Sequence, residues 1–187
     1  MKRTIVTVTL AMFIFFLGRA PARAAGFTLS SPQLVPGGRM SDEQVFNGFG
    51  CTGKNISPEL AWKGEPAGTK SFAVTVYDPD APTGSGWWHW VIFNIPATVH
   101  RLARDAGNIE AATAPAGAIQ SRTDYGKPGY GGACPPAGAG AHRYQFTVYA
   151  LDTARLPLAP DTPPAMVGFY LHQHELDRAG ITVYYQR

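Results

Sequence analysis

Two apolar runs joined by a short, acidic, turn-rich loop constrain this chain most. Phe72 to Val76 leads into Tyr77-Asp78-Pro79-Asp80-Ala81-Pro82 and then Thr83-Gly84-Ser85-Gly86. Trp87-Trp88-His89-Trp90 then leads out through Val91 to Ile95. Side chains alternate between the two faces of a strand. On that rule Phe72, Val74, Val76 and Asp78 share one face, and His89, Val91, Phe93 and Ile95 share one. A carboxylate and an imidazole therefore end two buried stripes where the strands meet the loop, at the lip of a small pocket. Taken alone, the loop also reads as plain turn chemistry, because Asp caps turns through its own side chain and Pro presets φ.

A second stretch repeats the arrangement. Pro135-Pro136-Ala137-Gly138-Ala139-Gly140-Ala141 runs into His142-Arg143-Tyr144 and a strong strand to Leu151. Alternation puts His142, Tyr144, Phe146 and Val148 on one face and Arg143, Gln145, Thr147 and Tyr149 on the other. Two strands that each begin or end on polar groups beside a Pro/Gly loop favour one shared polar pocket. Imidazoles, a phenol and backbone N–H groups of glycine loops are equipment for a small oxyanion.

Between these stretches the chain is mainly β. Phe27 to Val35 reads as a first strand, Leu60-Ala61-Trp62 as a short one and Ile181 to Gln186 as the last. Residues 96–105 suggest a helical turn with Val99 and Leu102 inward, and 107–121 an irregular loop. Pro163 and Pro164 open a helix expected over 165–179, capped by Asp161 or Thr162, with Met166, Phe169, Tyr170 and Leu176 on its inner face and Gly180 as its stop. His172 and His174 sit too far apart around such a helix to chelate together.

The first 24 residues read as a cleavable signal peptide. Lys2 and Arg3 precede an apolar run from Thr4 to Leu17, too short for a confident span, and Ala22-Arg23-Ala24 is an A-x-A cleavage site. Cleavage after Ala24 or Ala25 leaves one domain, residues 25–187, in the periplasm or secreted. Four of the 16 Lys and Arg lie in this leader, so the remainder holds 12 against 13 Asp and Glu. With no basic run left, nucleic acid is not an expected partner. Cys51 and Cys134 are the only cysteines. In an exported chain they suggest a bridge, with two free thiols as the alternative.

The two stretches together resemble the phosphatidylethanolamine-binding protein family, in its bacterial Raf-kinase-inhibitor-like branch. The matching residues are Asp78-Pro79-Asp80-Ala81-Pro82 with His89-Trp90, and Pro135-Pro136 with Gly140-Ala141-His142-Arg143-Tyr144. Asn55-Ile56-Ser57-Pro58-Glu59-Leu60-Ala61-Trp62 is similar to the bacterial branch as well, and the likeness runs from about Phe27 to Tyr185. Ala133 departs from it, standing where bacterial relatives usually carry proline. The resemblance implies a β-sandwich of a large and a small antiparallel sheet with a few peripheral helices. It also implies one anion pocket built from Asp78, Asp80, His89, His142 and Tyr144, walled by Pro79, Pro135 and Pro136.

Enzyme chemistry fits poorly. Ser85 lies in Gly84-Ser85-Gly86, but Thr83 breaks G-x-S-x-G, and no serine sits at a strand-to-helix elbow. Asp78, Asp80, His89 and His142 have the chemistry of metal ligands but no obvious orienting partners, so no metal or cofactor is expected. The expected function is a non-enzymatic binding protein for a small phosphate-type anion or phospholipid head group. The alternative is an inhibitor or modulator of another protein, acting through a pocket rim that includes Trp87 and Trp88, with Trp90 expected in the core. A homodimer is among the assemblies left open.

Overall fold

The computed structural model describes residues 26–187, so the leader and its cleavage site lie outside the described residues. In chain order the elements are β1 (Thr28–Ser30), β2 (Asn47–Gly48), β3 (Cys51–Thr52), β4 (Leu60–Lys63), β5 (Ser71–Asp78), β6 (Trp87–Pro96), β7 (Arg101–Leu102), β8 (Ile119–Gln120), β9 (His142–Leu151), α1 (Pro164–His174) and β10 (Glu175–Tyr185). A five-stranded antiparallel sheet runs β10-β9-β5-β6-β8, and a three-stranded antiparallel sheet runs β1-β4-β7.

The larger sheet is buried on both faces, which is why β5 is apolar almost throughout rather than alternating. Phe72, Val74 and Val76 join Trp90, Ile92, Ile95, Tyr144, Phe146 and Val148 in the core, together with Leu60, Trp62 and Leu102 of the small sheet. On the opposite face Ala73, Val91 and Phe93 pack with Leu151, Leu156 and two α1 residues, Val167 and Leu171.

β6 lines both cores by alternation between Trp90 and Phe93, and carries two register shifts against β5, one on either side of that run. Asn94, at φ 58°, lies in the first, between pairs Phe72↔Ile95 and Val74↔Ile92. His89 is the extra residue of the second: Val76 pairs with Trp90 and Tyr77 with Trp88, leaving His89 unmatched. Strict alternation therefore fails along β6. His89 does not share the helix-side face of Val91 and Phe93; it joins Asp78 and Tyr144 at the end of the sandwich core.

Other expectations are corrected in the same way. The first strand is only Thr28–Ser30, with Ser31 and Pro32 breaking it, and it pairs with β4. The stretch 96–105 is a turn followed by β7, although Leu102 and Val99 do face inward. The 107–121 loop contains β8, which pairs with Ile92 and Phe93. The helix stops at His174, and Glu175 to Ala179 extend as β10 along the whole of β9. Long-range pairing there overrides good local helix formers. Pro163 occupies the N-cap with no side-chain cap, and the inner face of α1 is Val167 and Leu171, with Met166 and Phe169 exposed.

Cys51 and Cys134 are bridged, with Cα atoms 6.0 Å apart. Arg187 spans the same junction: Nε donates to the Pro135 carbonyl at 2.7 Å and a guanidinium N–H to the Gly50 carbonyl at 3.0 Å.

Candidate functional site

β5 ends and β9 begins at the same end of the larger sheet. Their register, Val76 opposite Phe146 and Tyr77 opposite Gln145, carries Asp78 within reach of His142. Nδ1 of His142 donates to Oδ2 of Asp78 at 2.8 Å, and both side chains are buried. The other Asp78 oxygen accepts the Asp80 backbone N–H at 2.8 Å. Asp78 therefore serves both readings of its motif: it caps the Asp-Pro turn and orients a histidine.

His89 faces this pair from the β6 bulge. Its Nδ1 lies 2.8 Å from the Gly131 carbonyl and 3.1 Å from that of Gly132. Carbonyls only accept, so Nδ1 carries the hydrogen. Burial, outweighing those bonds and the nearby Asp78 charge, pushes the imidazole below its usual range and keeps it neutral. Nε2 is then a lone pair, buried and without a partner. Tyr144, edge-on to the His89 ring with centroids 5.1 Å apart, has a buried hydroxyl that is also unpartnered. Burial raises its pKa, so it stays a phenol.

The carbonyls that set the His89 tautomer are themselves positioned. Asn55 accepts the Gly132 N–H at 2.7 Å and donates to the Tyr130 carbonyl at 3.1 Å. This accounts for the asparagine of the Asn55-Ile56-Ser57-Pro58 stretch. Gly132 runs against the backbone of Gln44 to Phe46, where a Cβ has no room.

Above this floor is a pocket of about 190 Å³. Asp78, His89, His142 and Tyr144 meet in it, with Pro135 and Pro136 as one wall. Ala81, Pro82, Thr83 and Trp87 form another, and Tyr125, Phe49 and Cys134 complete it. The Tyr77 hydroxyl holds the loop through the Ser85 carbonyl at 2.7 Å. Among the described residues no Lys or Arg lines the pocket.

Two expected site residues are elsewhere. Pro79 does not line the pocket. The Asp80 carboxylate turns outward to Arg143, accepting its backbone N–H at 2.8 Å and two guanidinium N–H groups at 2.9 and 2.7 Å. Arg143 holds it well below the usual carboxylate range, at about 2. With Asp80 drawn away, the four candidate ligands do not form one metal-binding cluster among the described residues. Of the tryptophans, Trp87 is on the rim, Trp88 packs toward the helix side and Trp90 is fully buried, bonded to Gln120.

Tyr125 and Phe49 also line the pocket, although no motif or periodicity in the sequence marks them. The Tyr125 hydroxyl donates to the Gly132 carbonyl at 2.8 Å, and its ring stacks on Phe46 at 4.3 Å. Trp87 Nε1 approaches the same hydroxyl without normal hydrogen-bond geometry. Phe49 stands exposed at the mouth on a left-handed backbone, φ 52°, between Gly48 and Gly50.

Sandwich and pocket define a class: a mainly β protein built on a five-stranded and a three-stranded antiparallel sheet, with a small pocket where the central strands of the larger sheet end. The chain belongs to the phosphatidylethanolamine-binding protein family, whose model matches residues 30–186. It is 50% identical over 186 residues to the UPF0098 protein YbcL of Escherichia coli K12, covering 100% of this chain and 99% of that relative. It is 54% identical over 154 residues to YbhB of the same strain, covering 82% of this chain and 96% of that relative. The crystal structure of Escherichia coli YbcL, described as a new member of the mammalian PEBP family, superposes with a TM-score of 0.86 at 51% identity. That superposition covers 87% of this chain and 99% of the other. A Chlamydia trachomatis homologue, CT736, superposes at 0.71 with 27% identity, covering 87% and 98%.

Proposed function

We propose that this chain is an exported, non-enzymatic binding protein whose one small pocket, formed by Asp78, His89, Pro135, Pro136, His142 and Tyr144, takes phosphate-bearing ligands of the phospholipid head-group type. The observation that supports this most is the floor. An Asp78-oriented histidine, a neutral histidine and a phenol converge there, and two of their polar atoms are buried with no protein partner. Buried polar atoms are nearly always satisfied in a native protein, so two together argue for a polar guest. The volume suits a head group rather than a whole lipid. Family membership is in keeping with a binding role. Export rests on the leader and agrees with a Mycobacterium tuberculosis relative, 36% identical over 149 residues, that is named as a lipoprotein.

Calorimetric titration with phosphoethanolamine tests the reading. Affinity should be higher near pH 5.5 than near pH 8, because a phosphate group's second pKa is about 6 and protons relieve the repulsion from Asp78. His142→Ala should weaken binding by about 1.5–3 kcal/mol. Affinity that rises with pH, or is untouched in that variant, would sink the assignment. N-terminal sequencing of the exported protein tests the leader, which predicts a start at Ala25 or Gly26.

The second reading, a modulator of another protein acting through the pocket rim, rests on Phe49, an exposed aromatic held at the mouth. Loss of a captured partner on Phe49→Ser, with phosphoethanolamine binding retained, would favour it.

A further inference from the structure

The floor of the pocket has a polarity that a generic anion does not satisfy. His89 Nδ1 is committed to the Gly131 and Gly132 carbonyls. Its Nε2, buried and unpartnered, is therefore an acceptor whenever the ring is neutral. The Asp78 carboxylate beside it accepts only, and its two oxygens already hold His142 and the Asp80 N–H. His142, with Nδ1–H committed to Asp78, donates through Nε2 only when its ring carries two protons. Tyr144 can donate its hydroxyl hydrogen. A fully deprotonated oxyanion would meet Tyr144 well and His89 Nε2 badly, lone pair against lone pair. An anion with one remaining P–OH would meet both: an ionised oxygen accepts from Tyr144 while the P–OH donates to His89.

On the anion-pocket reading above, we infer that this pocket selects oxyanions that carry a proton, phosphomonoesters and inorganic phosphate, over phosphodiesters and sulfate. The anionic groups of the latter two carry no hydrogen in the neutral pH range. The shared chemistry is the P–OH group, whether it comes from free phosphate or from a monoesterified small alcohol. An intact phospholipid's phosphodiester lacks it.

The groups facing His89 agree. Asp78 of β5 and Asp124 of the 121–132 segment both favour a proton on the ring, but burial outweighs them. Tyr125 and Tyr144 stay protonated phenols because burial raises both. Arg143, the nearest cation on β9, is occupied by Asp80. Among the described residues no Lys or Arg lines the pocket to hold a dianion, which makes the protonated monoanion the better guest.

The test is calorimetric titration of the purified protein near pH 5.5 with phosphoethanolamine, inorganic phosphate, glycerophosphoethanolamine and inorganic sulfate. Phosphoethanolamine and phosphate should each bind at least about tenfold tighter than the diester and sulfate, the effect of one charge-assisted hydrogen bond made or left unmade. The advantage should shrink toward pH 8, as monoesters lose the P–OH above about pH 6. The ¹⁵N signals of the His89 ring should show a lone-pair Nε2 in the free protein, and phosphate but not sulfate should shift that signal. His89→Gln, whose amide presents either a donor or an acceptor, should narrow the discrimination between the four ligands. Diester or sulfate binding within about threefold of phosphoethanolamine would overturn the selection and leave the anion pocket standing. No binding of any of the four would overturn both. A protonated Nε2 in the free protein would overturn the selection alone.

Discussion

A buried hydroxyl without a partner weakens a fold unless something outside the protein uses it, and Tyr144 is such a residue. Tyr144→Phe removes only the group that the protein does not satisfy. The variant should be as stable as the parent, or more stable by up to about 1 kcal/mol, in urea denaturation, yet bind phosphoethanolamine about 1.5–3 kcal/mol more weakly. A large loss of stability would mean that the hydroxyl has a structural partner. Asp80 and His89 titrate in separable windows. Asp80 has its folded pKa depressed to about 2, so its contribution is present above the unfolded carboxylate value and lost as pH falls through about 2. Asp80→Asn should cost about 1 kcal/mol at neutral pH, the scale of a partly exposed ion pair, and that difference from the parent should vanish in acid. His89 is also depressed, but from a higher starting value. Its neutral burial contributes fully above the unfolded histidine value of about 6.5 and is lost as pH falls toward the folded one. Denaturation midpoints followed through acid should therefore show a first decline below about pH 6.5 that His89→Gln removes and Asp80→Asn does not.

Among the elements, β6 decides the site. Its bulge turns His89 to the side of Asp78 and Tyr144, and the loop before it is anchored by Tyr77. Gly86 closes that loop at φ 72°, with the Tyr77 hydroxyl and the Asp78 carbonyl where a Cβ would stand. Gly86→Ala should destabilise by about 2 kcal/mol or more and weaken binding, whereas Gly84→Ala, equally left-handed but in open space, should cost only about 1 kcal/mol. Comparing their denaturation midpoints checks this. Asp78, His142 and Tyr144 were legible in the sequence because β5 and β9 obey a period of two up to the pocket. The pattern around His89 points to the pocket, but strict alternation puts it on the face of Val91 and Phe93, because a bulge leaves no mark in a hydrophobic period. The outward turn of Asp80 is not legible in the sequence, because a motif names residues and not the direction they point. The competing attraction, Arg143, lies 63 positions away. Only the second half of β10 is legible in the sequence, since the segment from Glu175 to Ala179 favours helix locally and becomes a strand only by pairing with β9. Phe49 and Tyr125 enter the pocket from segments without periodicity, so only tertiary contacts reveal them.

At the scale of the whole molecule, the disulfide joins the Phe49 side of the pocket mouth to the Pro135 wall, closing 83 residues of chain. Reduction should lower stability by about 2–4 kcal/mol and weaken phosphate binding together, as measured by denaturation and titration with and without reductant. Arg187→Ala should loosen the same wall without opening the loop, so binding should suffer more than stability. The floor has a further consequence. Asp78 and His142 are 64 positions apart and meet only in the finished sheet, so a guest held there recognises the native state and nothing before it. Such a guest at a hundred times its dissociation constant adds about 2.7 kcal/mol to the unfolding free energy. For a chain of this length that is a rise of about 5–10 °C in melting temperature. Phosphate in a purification buffer would then act as an unrecorded stabiliser, and two laboratories using phosphate and Tris would report different melting temperatures for the same fold.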